Sequence, residues 1–479
     1  MNPVLIREGI HMAKIDTIIR GARVVLRDNV EELDIGIAGE KIIALSPQLV
    51  GDEDTEMIEA AGLTVMPGVV DIHVHFNEPG LASWEGFKSG SASLAAGGIT
   101  TYVDMPLNGV PPTIRPDAWE MKMKAADGQS YVDYAFWGGL VPGNRAELAP
   151  LAHMGAAGFK AFMSEPGGEG EDIFTRADED TLLNGMYEIA RLNRVLALHA
   201  EDEAMVAELA TRSIAAGRIG PMDYVQSRPA EAEVRAVTRA LQYGEQTGCA
   251  LHFVHISTRE ALDLIAEAKR RGQDVTSETC PHYLSLTDED VVRLGAVAKC
   301  APPLRSQAEQ DQLWDALAAG LIDVIASDHS PCPPSMKQSD HFFEIWGGIS
   351  GAQSTLLLML EEGHLRRNIA LPLLGRVLAL QPARRLGLDS KGEIAIGKDA
   401  DLVLIDWEKT TTLNTDDLLY THKQSPYVGR TFSSCIADVF CRGERVYSSK
   451  TGLSDPPVGR FVRANSSVPA GIEGMEGLS

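Results

Sequence analysis

The sequence contains few cysteines, and none of them form a close pair. The six cysteines among 479 residues are scattered, without any C-x-x-C spacing. This argues against a zinc ribbon and against a disulfide-stapled module, and it fits a reducing compartment. The first residues also lack the continuous apolar stretch of a signal peptide. We therefore expect a cytoplasmic protein.

Long apolar runs and excess positive charge are also missing. The longest apolar runs, such as residues 356–360, are far shorter than the roughly 20 residues of a membrane-spanning helix. Lys and Arg number 43 against 67 Asp and Glu, so the net charge is −24. A charge of this sign repels phosphate backbones and anionic lipid surfaces. We expect neither a nucleic-acid partner nor a membrane partner.

The hydropathy pattern changes character along the chain. Residues 15–65 contain short β-branched runs broken by turns, which are typical of a small sheet. After Met66-Pro67-Gly68, strand-like runs alternate with helical segments such as residues 179–192 and 259–271. There are eight such runs, at 69–75, 99–105, 132–140, 157–163, 195–199, 251–256, 274–280 and 324–327. Eight strands with helical crossovers predict an α/β fold of the TIM-type (β/α)8 barrel class.

Short β structure returns after the barrel segment. Residues 392–406 and 435–447 again consist of strand-like runs and turns. We predict one small β-sheet domain built from both chain ends, residues 1–66 and 392–450, around a barrel of residues 67–391. Residues 451–479 are rich in Gly, Pro and Ser, and we interpret them as a tail or as an arm lying on a neighbour.

The strongest local signal is the H-x-H pair at the end of the first barrel strand. His73 and His75 are two residues apart, so both imidazoles of a regular strand point the same way and can face one ion. Taken alone, the pair could equally be two polar residues satisfied by hydrogen bonds.

Other strand ends carry further candidate ligands. Catalytic groups of this barrel collect at the C-terminal ends of its strands. Lys160, His199, His252, His255 and Asp328 follow this placement. Lys160 lies in an apolar stretch, where an ammonium is costly but a neutral amine can react with carbon dioxide to give an anionic carbamate. The alternative is a lysine paired with a carboxylate.

With these residues assembled, the chain resembles the cyclic amidohydrolases, the group of dihydroorotase, dihydropyrimidinase, hydantoinase and allantoinase. Within the group it is most similar to the allantoinases, over residues 15–447. The resemblance rests on several long motifs in order: His73-Val-His-Phe-Asn-Glu-Pro-Gly80, Trp84-Glu-Gly-Phe87, Asp104-Met-Pro-Leu-Asn108, Ser327-Asp-His-Ser-Pro-Cys-Pro-Pro334, Trp346-Gly-Gly-Ile-Ser350 and His422-Lys-Gln-Ser-Pro-Tyr-Val-Gly-Arg430.

The resemblance implies a centre of two divalent metal ions. Its ligands would be His73, His75, carboxylated Lys160, His199, His255 and Asp328. His255 is chosen over His252 because it stands in the V-H-I-S ending that resembles the family ligand. Asp328 would also be the catalytic acid and base. Zinc is the first expectation, with cobalt, manganese or iron as alternatives. The resemblance further implies a small-molecule substrate and a homotetramer.

The residues around these motifs bear on the substrate. Dihydroorotases resemble this stretch but have Arg where this chain has Asn77, and an amide suits a neutral ring better than a carboxylate. Hydantoinases and dihydropyrimidinases typically have Tyr where this chain has Glu165. Both departures favour hydrolysis of the hydantoin ring of allantoin to allantoate. Asn108 is a second substrate-binding candidate, although it is equally typical of a turn.

Three questions stay open at this point. Activity on hydantoin or dihydropyrimidine rings is the nearest alternative, and a non-enzymatic scaffold of the same fold is a remote one. The glycine-rich acidic loop at residues 165–172 can either gate the site or be an ordinary exposed loop.

Overall fold

The computed structural model describes residues 14–167 and 172–465, which form a mixed α/β structure. Its strands are β1 (Thr17–Val25), β2 (Val30–Ala38), β3 (Lys41–Ser46), β4 (Glu56–Glu59), β5 (Thr64–Pro67), β6 (Val69–Val74), β7 (Ile99–Asp104), β8 (Asp133–Phe136), β9 (Gly138–Gly139), β10 (Phe159–Phe162), β11 (Val195–His199), β12 (Ala250–Phe253), β13 (Val275–Thr279), β14 (Val324–Ile325), β15 (Leu402–Asp406), β16 (Thr411–Thr412), β17 (Thr431–Phe432), β18 (Cys435–Cys441), β19 (Glu444–Ser448) and β20 (Gly452–Leu453).

Helices separate most of the central strands. They are α1 (Phe87–Ala96), α2 (Pro116–Ala126), α3 (Leu148–Met154), α4 (Glu179–Arg191), α5 (Glu203–Ala215), α6 (Pro221–Gln226), α7 (Ala230–Thr247), α8 (Arg259–Arg270), α9 (Pro281–Ser285), α10 (Asp288–Leu294), α11 (Gln307–Ala318), α12 (Thr355–Leu358), α13 (Leu371–Gly375) and α14 (Gln381–Arg385). Capping side chains define the first residue of several of these helices. Asp178 accepts a hydrogen bond from the Thr181 amide at the start of α4, for example.

Strands from both chain ends form one nine-stranded sheet. The order is β20-β19-β18-β15-β5-β1-β2-β3, with β4 paired to β1. The two ends join where β5 pairs antiparallel with β15, with Val65 opposite Leu404. Buried aliphatic side chains on these strands, including Ile19, Ile35 and Leu402, make a separate hydrophobic cluster. The sheet is therefore held by contacts between segments about 340 residues apart.

The central strands are parallel, and each of the eight runs seen in the sequence contains a strand. They form a three-stranded sheet, β6-β7-β8, and a six-stranded sheet, β14-β13-β12-β11-β10-β9. The third run differs from expectation, because it divides into β8 and β9 around Trp137. The indole of Trp137 is fully buried and donates a hydrogen bond to the carbonyl of Ile72 at 2.8 Å. This large side chain packs in a buried apolar cluster with residues of both parallel sheets, such as Val103 and Ala197.

Backbone contacts connect the two parallel sheets on both sides. Val74 pairs in parallel with His329, just after β14, and the His75 amide donates to the His329 carbonyl at 2.8 Å. On the other side, the Ala157 amide, just before β10, donates to the Phe136 carbonyl of β8 at 2.9 Å. These contacts bring the ends of β6 and β14 together, where His73 and Asp328 lie.

The described part of the C-terminal segment packs on its own chain. The Tyr134 amide of β8 donates to the Arg460 carbonyl at 3.0 Å, and the Val462 amide donates to the Tyr134 carbonyl at 2.7 Å. Residues up to 465 thus extend the edge beside β8. The rest of the predicted tail, 466–479, lies outside the described residues. In the described ranges, no helix combines the length and the hydropathy that crossing a membrane requires.

Candidate active site

The six predicted ligands meet at the C-terminal ends of the parallel strands. His73 is on β6, Lys160 on β10 and His199 at the end of β11. His75, His255 and Asp328 lie within the loops that follow β6, β12 and β14. All are buried except Asp328, whose side chain is 13% exposed. Side chains far apart in sequence therefore share one water-poor pocket in which Asp328 remains accessible.

Two histidines and Asp328 form the first group of ligand atoms. Nε2 of His73 lies 3.2 Å from Oδ1 of Asp328, and Nε2 of His75 lies 3.3 Å from the same oxygen. One potential ligand atom from each of the three residues fits within 4.8 Å. Two imidazole nitrogens and one carboxylate oxygen are a donor set that suits zinc and related divalent ions.

A second pair of histidines lies beside the first group. Nδ1 of His199 is 3.0 Å from Nε2 of His255, and the His255 ring centroid is 5.5 Å from that of His73. Two imidazole nitrogens at this distance either share a proton or face a common ion. The arrangement provides a second nitrogen pair next to the first group.

Lys160 is buried without a partner. Its Nζ is inaccessible to solvent, has no hydrogen-bond partner among the described residues and lies 4.8 Å from the centre of the Phe162 ring. Burial lowers the pKa of the Lys160 amine to about 8, although the charges of Asp328 and Glu278 oppose this shift. The alternative of a lysine paired directly with a carboxylate does not describe this geometry. A buried amine that has no partner and a lowered pKa fits a lysine that is carboxylated before it binds metal.

The two histidines near the end of β12 have different environments. His252 makes contacts at 2.8 Å to Oγ1 of Thr276 and at 3.1 Å to Oε2 of Glu278. His255 lies beyond the strand end with a backbone φ of +41°, a left-handed conformation that is strained for a non-glycine residue. This conformation turns His255 toward His199, whereas His252 stays among the polar groups behind the pocket.

Carboxylates behind the pocket define which histidine nitrogens carry protons. Oε1 of Glu278 lies 2.7 Å from Nδ1 of His73, and Oε2 of Glu201 lies 2.8 Å from Nε2 of His199. Burial opposes ionisation of Glu278, but the charge of His73 and hydrogen bonds from His252 and His73 lower its pKa to about 2. For Glu201, burial is likewise outweighed, chiefly by Arg228, so its pKa stays well below the usual range.

An ionised carboxylate only accepts hydrogen bonds, so Nδ1 of His73 and Nε2 of His199 must donate. The opposite ring nitrogens then present lone pairs toward the pocket. Sequence analysis did not identify Glu278 or Glu201 as functional. Their position at strand ends, with Glu201 two residues after His199, was the available signal.

The two predicted substrate-binding amides occupy different surroundings. Asn77 is buried, donates from Nδ2 to the Pro331 carbonyl at 3.3 Å and leaves its Oδ1 without a partner among the described residues. Asn108 is only half-buried. Both have a positive φ, +65° and +63°, which Asn tolerates better than most residues. Asn77 thus has a free buried acceptor, whereas the backbone of Asn108 agrees with a turn position.

Glu165 lies outside the ligand group. Its side chain is exposed and pairs with Arg176, Nε to Oε1, at 3.0 Å. Glu165 begins the glycine-rich acidic loop at residues 165–172, of which residues 168–171 lie outside the described ranges.

This geometry can be compared with known proteins. The amidohydrolase family model matches residues 64–446. The chain belongs to the amidohydrolase family. Family members generally use two metal ions, and the donor set described above includes the unpartnered atoms that such ions would satisfy.

Curated members of the amidohydrolase family that resemble this chain include several named allantoinase. The protein from Rubrobacter xylanophilus is 47% identical over 452 residues, covering 94% of this chain and 98% of that protein. The one from Deinococcus radiodurans is 45% identical over 453 residues, covering 94% and 99%. Among solved structures, an L-hydantoinase (dihydropyrimidinase) from Arthrobacter aurescens has a TM-score of 0.90 at 34% identity, covering 94% of this chain and 100% of its own.

Proposed function

We propose that this protein is an allantoinase, a hydrolase that opens the hydantoin ring of allantoin to give allantoate. The observation that carries the proposal is the convergence of four buried histidines, Asp328 and an unpartnered buried lysine on one pocket. The substrate is inferred from the curated allantoinases, which are 45–47% identical over most of the chain.

Two divalent metal ions would be held by these residues. His73, His75 and Asp328 would hold one ion, His199 and His255 the other, and carboxylated Lys160 would link the two. Zinc is the first candidate, with cobalt, manganese and iron as alternatives. When bound, such an ion pair lowers the pKa of a water and polarises the scissile carbonyl.

Asp328 is placed to move the proton of the reaction. Its carboxylate would accept a proton as water adds to the ring carbonyl, and would return it to the ring nitrogen as the carbon–nitrogen bond breaks. Hydroxyl is thereby added to carbon and hydrogen to nitrogen, which gives an open ureido acid. The exposed fraction of the Asp328 side chain leaves it accessible to substrate.

Asn77 would contribute to substrate choice. Its free, buried Oδ1 can accept a hydrogen bond from a ring or ureido N–H of the substrate. Such a bond would offset the free-energy cost of burying this acceptor without a partner. An acceptor of this kind suits neutral allantoin better than the carboxylate of dihydroorotate. Asn108 would make a second contact with the substrate at the edge of the site.

We also propose that the eight central strands close into a (β/α)8 barrel, supported by the pairing of Val74 with His329 on one side and the hydrogen bond from Ala157 to Phe136 on the other. Residues 67–391 would be the barrel, 1–66 and 392–450 the small β domain, and 451–479 the tail. We further propose a cytoplasmic homotetramer.

The first experiment measures turnover of allantoin, hydantoin, dihydrouracil and dihydroorotate on one preparation whose metal content is known. Preferred opening of allantoin with about two ions per chain supports the proposal. Preference for hydantoin or dihydrouracil favours the second candidate, which the likeness to the L-hydantoinase supports. Inactivity with two ions bound would instead favour a scaffold role.

A further inference from the structure

A second cluster of metal-binding side chains shares Asp328. Sγ of Cys280, an imidazole nitrogen of His282 and a carboxylate oxygen of Asp328 all lie within 4.8 Å of one another. Cys280 directly follows β13, and His282 lies in the first turn of α9. Neither residue has a role in the reaction proposed above.

His282 is an independent indication that a ligand can bind here. The residue is 1% exposed, and its Nε2 has no hydrogen-bond partner among the described residues. A neutral imidazole has one ring nitrogen with a free lone pair that can bind an ion. A buried imidazole without a partner is costly unless something occupies that position.

We propose that Cys280, His282 and Asp328 form a third metal site, selective for thiophilic divalent ions such as zinc or cadmium in excess, whose occupation reversibly inhibits the enzyme. The inhibition, but not the ion binding, rests on the proposed function. Tetrahedral zinc sites with these ligand types have ligand atoms about 3.3–3.8 Å apart, so small side-chain movements close the present spacing.

The donor set determines which ions bind. The buried thiol of Cys280 must release its proton to solvent when the ion binds, because only the thiolate is a good metal ligand. Only an ion with high affinity for thiolate can offset this cost, which favours zinc and cadmium over magnesium or manganese.

Inhibition follows from the shared carboxylate. An ion on Asp328 would occupy the lone pair that has to accept the proton during ring opening. It would also place positive charge where the ring nitrogen must approach. Binding of the third ion should therefore suppress kcat, while the four histidines keep their own ions.

The test adds cadmium to metal-loaded enzyme and follows two signals, the ultraviolet thiolate-to-cadmium charge-transfer absorption and allantoin turnover. We expect one further cadmium per chain, an absorption band that saturates with it, and a parallel loss of turnover that dialysis restores. Cys280→Ser should keep its turnover without added cadmium, lose the band, and require at least about 10-fold more cadmium for inhibition.

Two more variants distinguish cadmium binding at this site from cadmium binding at other cysteines. Cys435 is the partly exposed cysteine, so Cys435→Ser should keep both the band and the inhibition. His282→Gln should weaken both while leaving all thiols in place. A band that survives in Cys280→Ser overturns the site, and a band without inhibition overturns the regulatory role. Absence of allantoin turnover contradicts the proposed function alone, since the absorption still reports ion binding.

Discussion

Glu278 and His73 lie 205 positions apart in the sequence, yet the Glu278 carboxylate accepts a 2.7 Å hydrogen bond from Nδ1 of His73. Because the pKa of Glu278 is lowered to about 2, it stays ionised and cannot donate. The proton is therefore held on Nδ1, and the lone pair of Nε2 is directed toward Asp328, 3.2 Å away. One buried carboxylate thus defines the binding form of a ligand on another strand.

Glu278→Gln should weaken metal binding about 10- to 100-fold and lower kcat accordingly, because an amide can donate to His73 and reverse its tautomer. Metal retained after dialysis against increasing chelator measures the effect. Glu233→Gln is the matched control, since Glu233 is also fully buried but accepts from Ser257 and Thr258 instead of a ligand histidine. Equal metal loss in both variants would contradict the tautomer argument.

Lys160→Ala should abolish turnover and reduce the metal content, because it removes the group that would link both ions. If that group is a carbamate, short carboxylic acids added to the variant should restore part of the activity. Asp328→Asn serves as the comparison, since the same acids should not restore it. Lack of any rescue of Lys160→Ala would count against carboxylation.

Asp328→Asn should reduce kcat much more than it changes KM. The amide keeps the shape of the side chain but cannot accept the proton of the attacking water, and loss of general acid–base catalysis typically costs about 10²- to 10⁴-fold. Steady-state kinetics on a metal-analysed sample measure both constants. An unchanged kcat would remove Asp328 from proton transfer.

Asn77→Gly should raise KM for allantoin about 10-fold, because it removes one buried hydrogen-bond acceptor. Glycine is preferred to alanine here, since the φ of +65° would add backbone strain of about 1–2 kcal/mol to an alanine variant. Asn108→Gly is the matched control at φ +63° and should change KM much less. Equal effects would remove the distinction between the two amides.

We expect the free energy of unfolding to increase as the pH rises above neutrality, because of the buried Lys299. Its ammonium donates to the Phe342 carbonyl at 2.7 Å, and burial, together with the charges of Lys337 and Arg228, lowers its pKa to about 7. In the unfolded chain a lysine keeps its proton up to a pKa of about 10.4. Between these values the unfolded state binds more protons, so the free energy of unfolding increases with pH by up to about 1.4 kcal/mol per unit.

Urea unfolding at pH 7, 8 and 9 measures this slope. Lys299→Met should remove its share of the slope, whereas Lys88→Met, which changes an exposed lysine, should leave it unchanged. Parallel stability curves for the protein and Lys299→Met would contradict the expected linkage.

The sequence by itself determined the alternation of strands and helices and the residue types at the strand ends. Side-chain direction along a strand repeats every two residues, so His73 and His75 could be placed on one side without any knowledge of the fold. The same local periodicity located the strands that carry Lys160 and His199 and the strand that precedes Asp328, although it did not show the division of the third run at Trp137.

Tertiary structure decided which of these atoms meet. The left-handed backbone of His255, rather than strand alternation, turns it toward His199. The hydrogen bond from His73 to Glu278 and the closeness of Cys280 and His282 to Asp328 join different strands. Such contacts depend on how the strands pack side by side. The local sequence pattern gives the direction of a side chain along its own strand, but it does not identify the residue that the side chain meets on another strand.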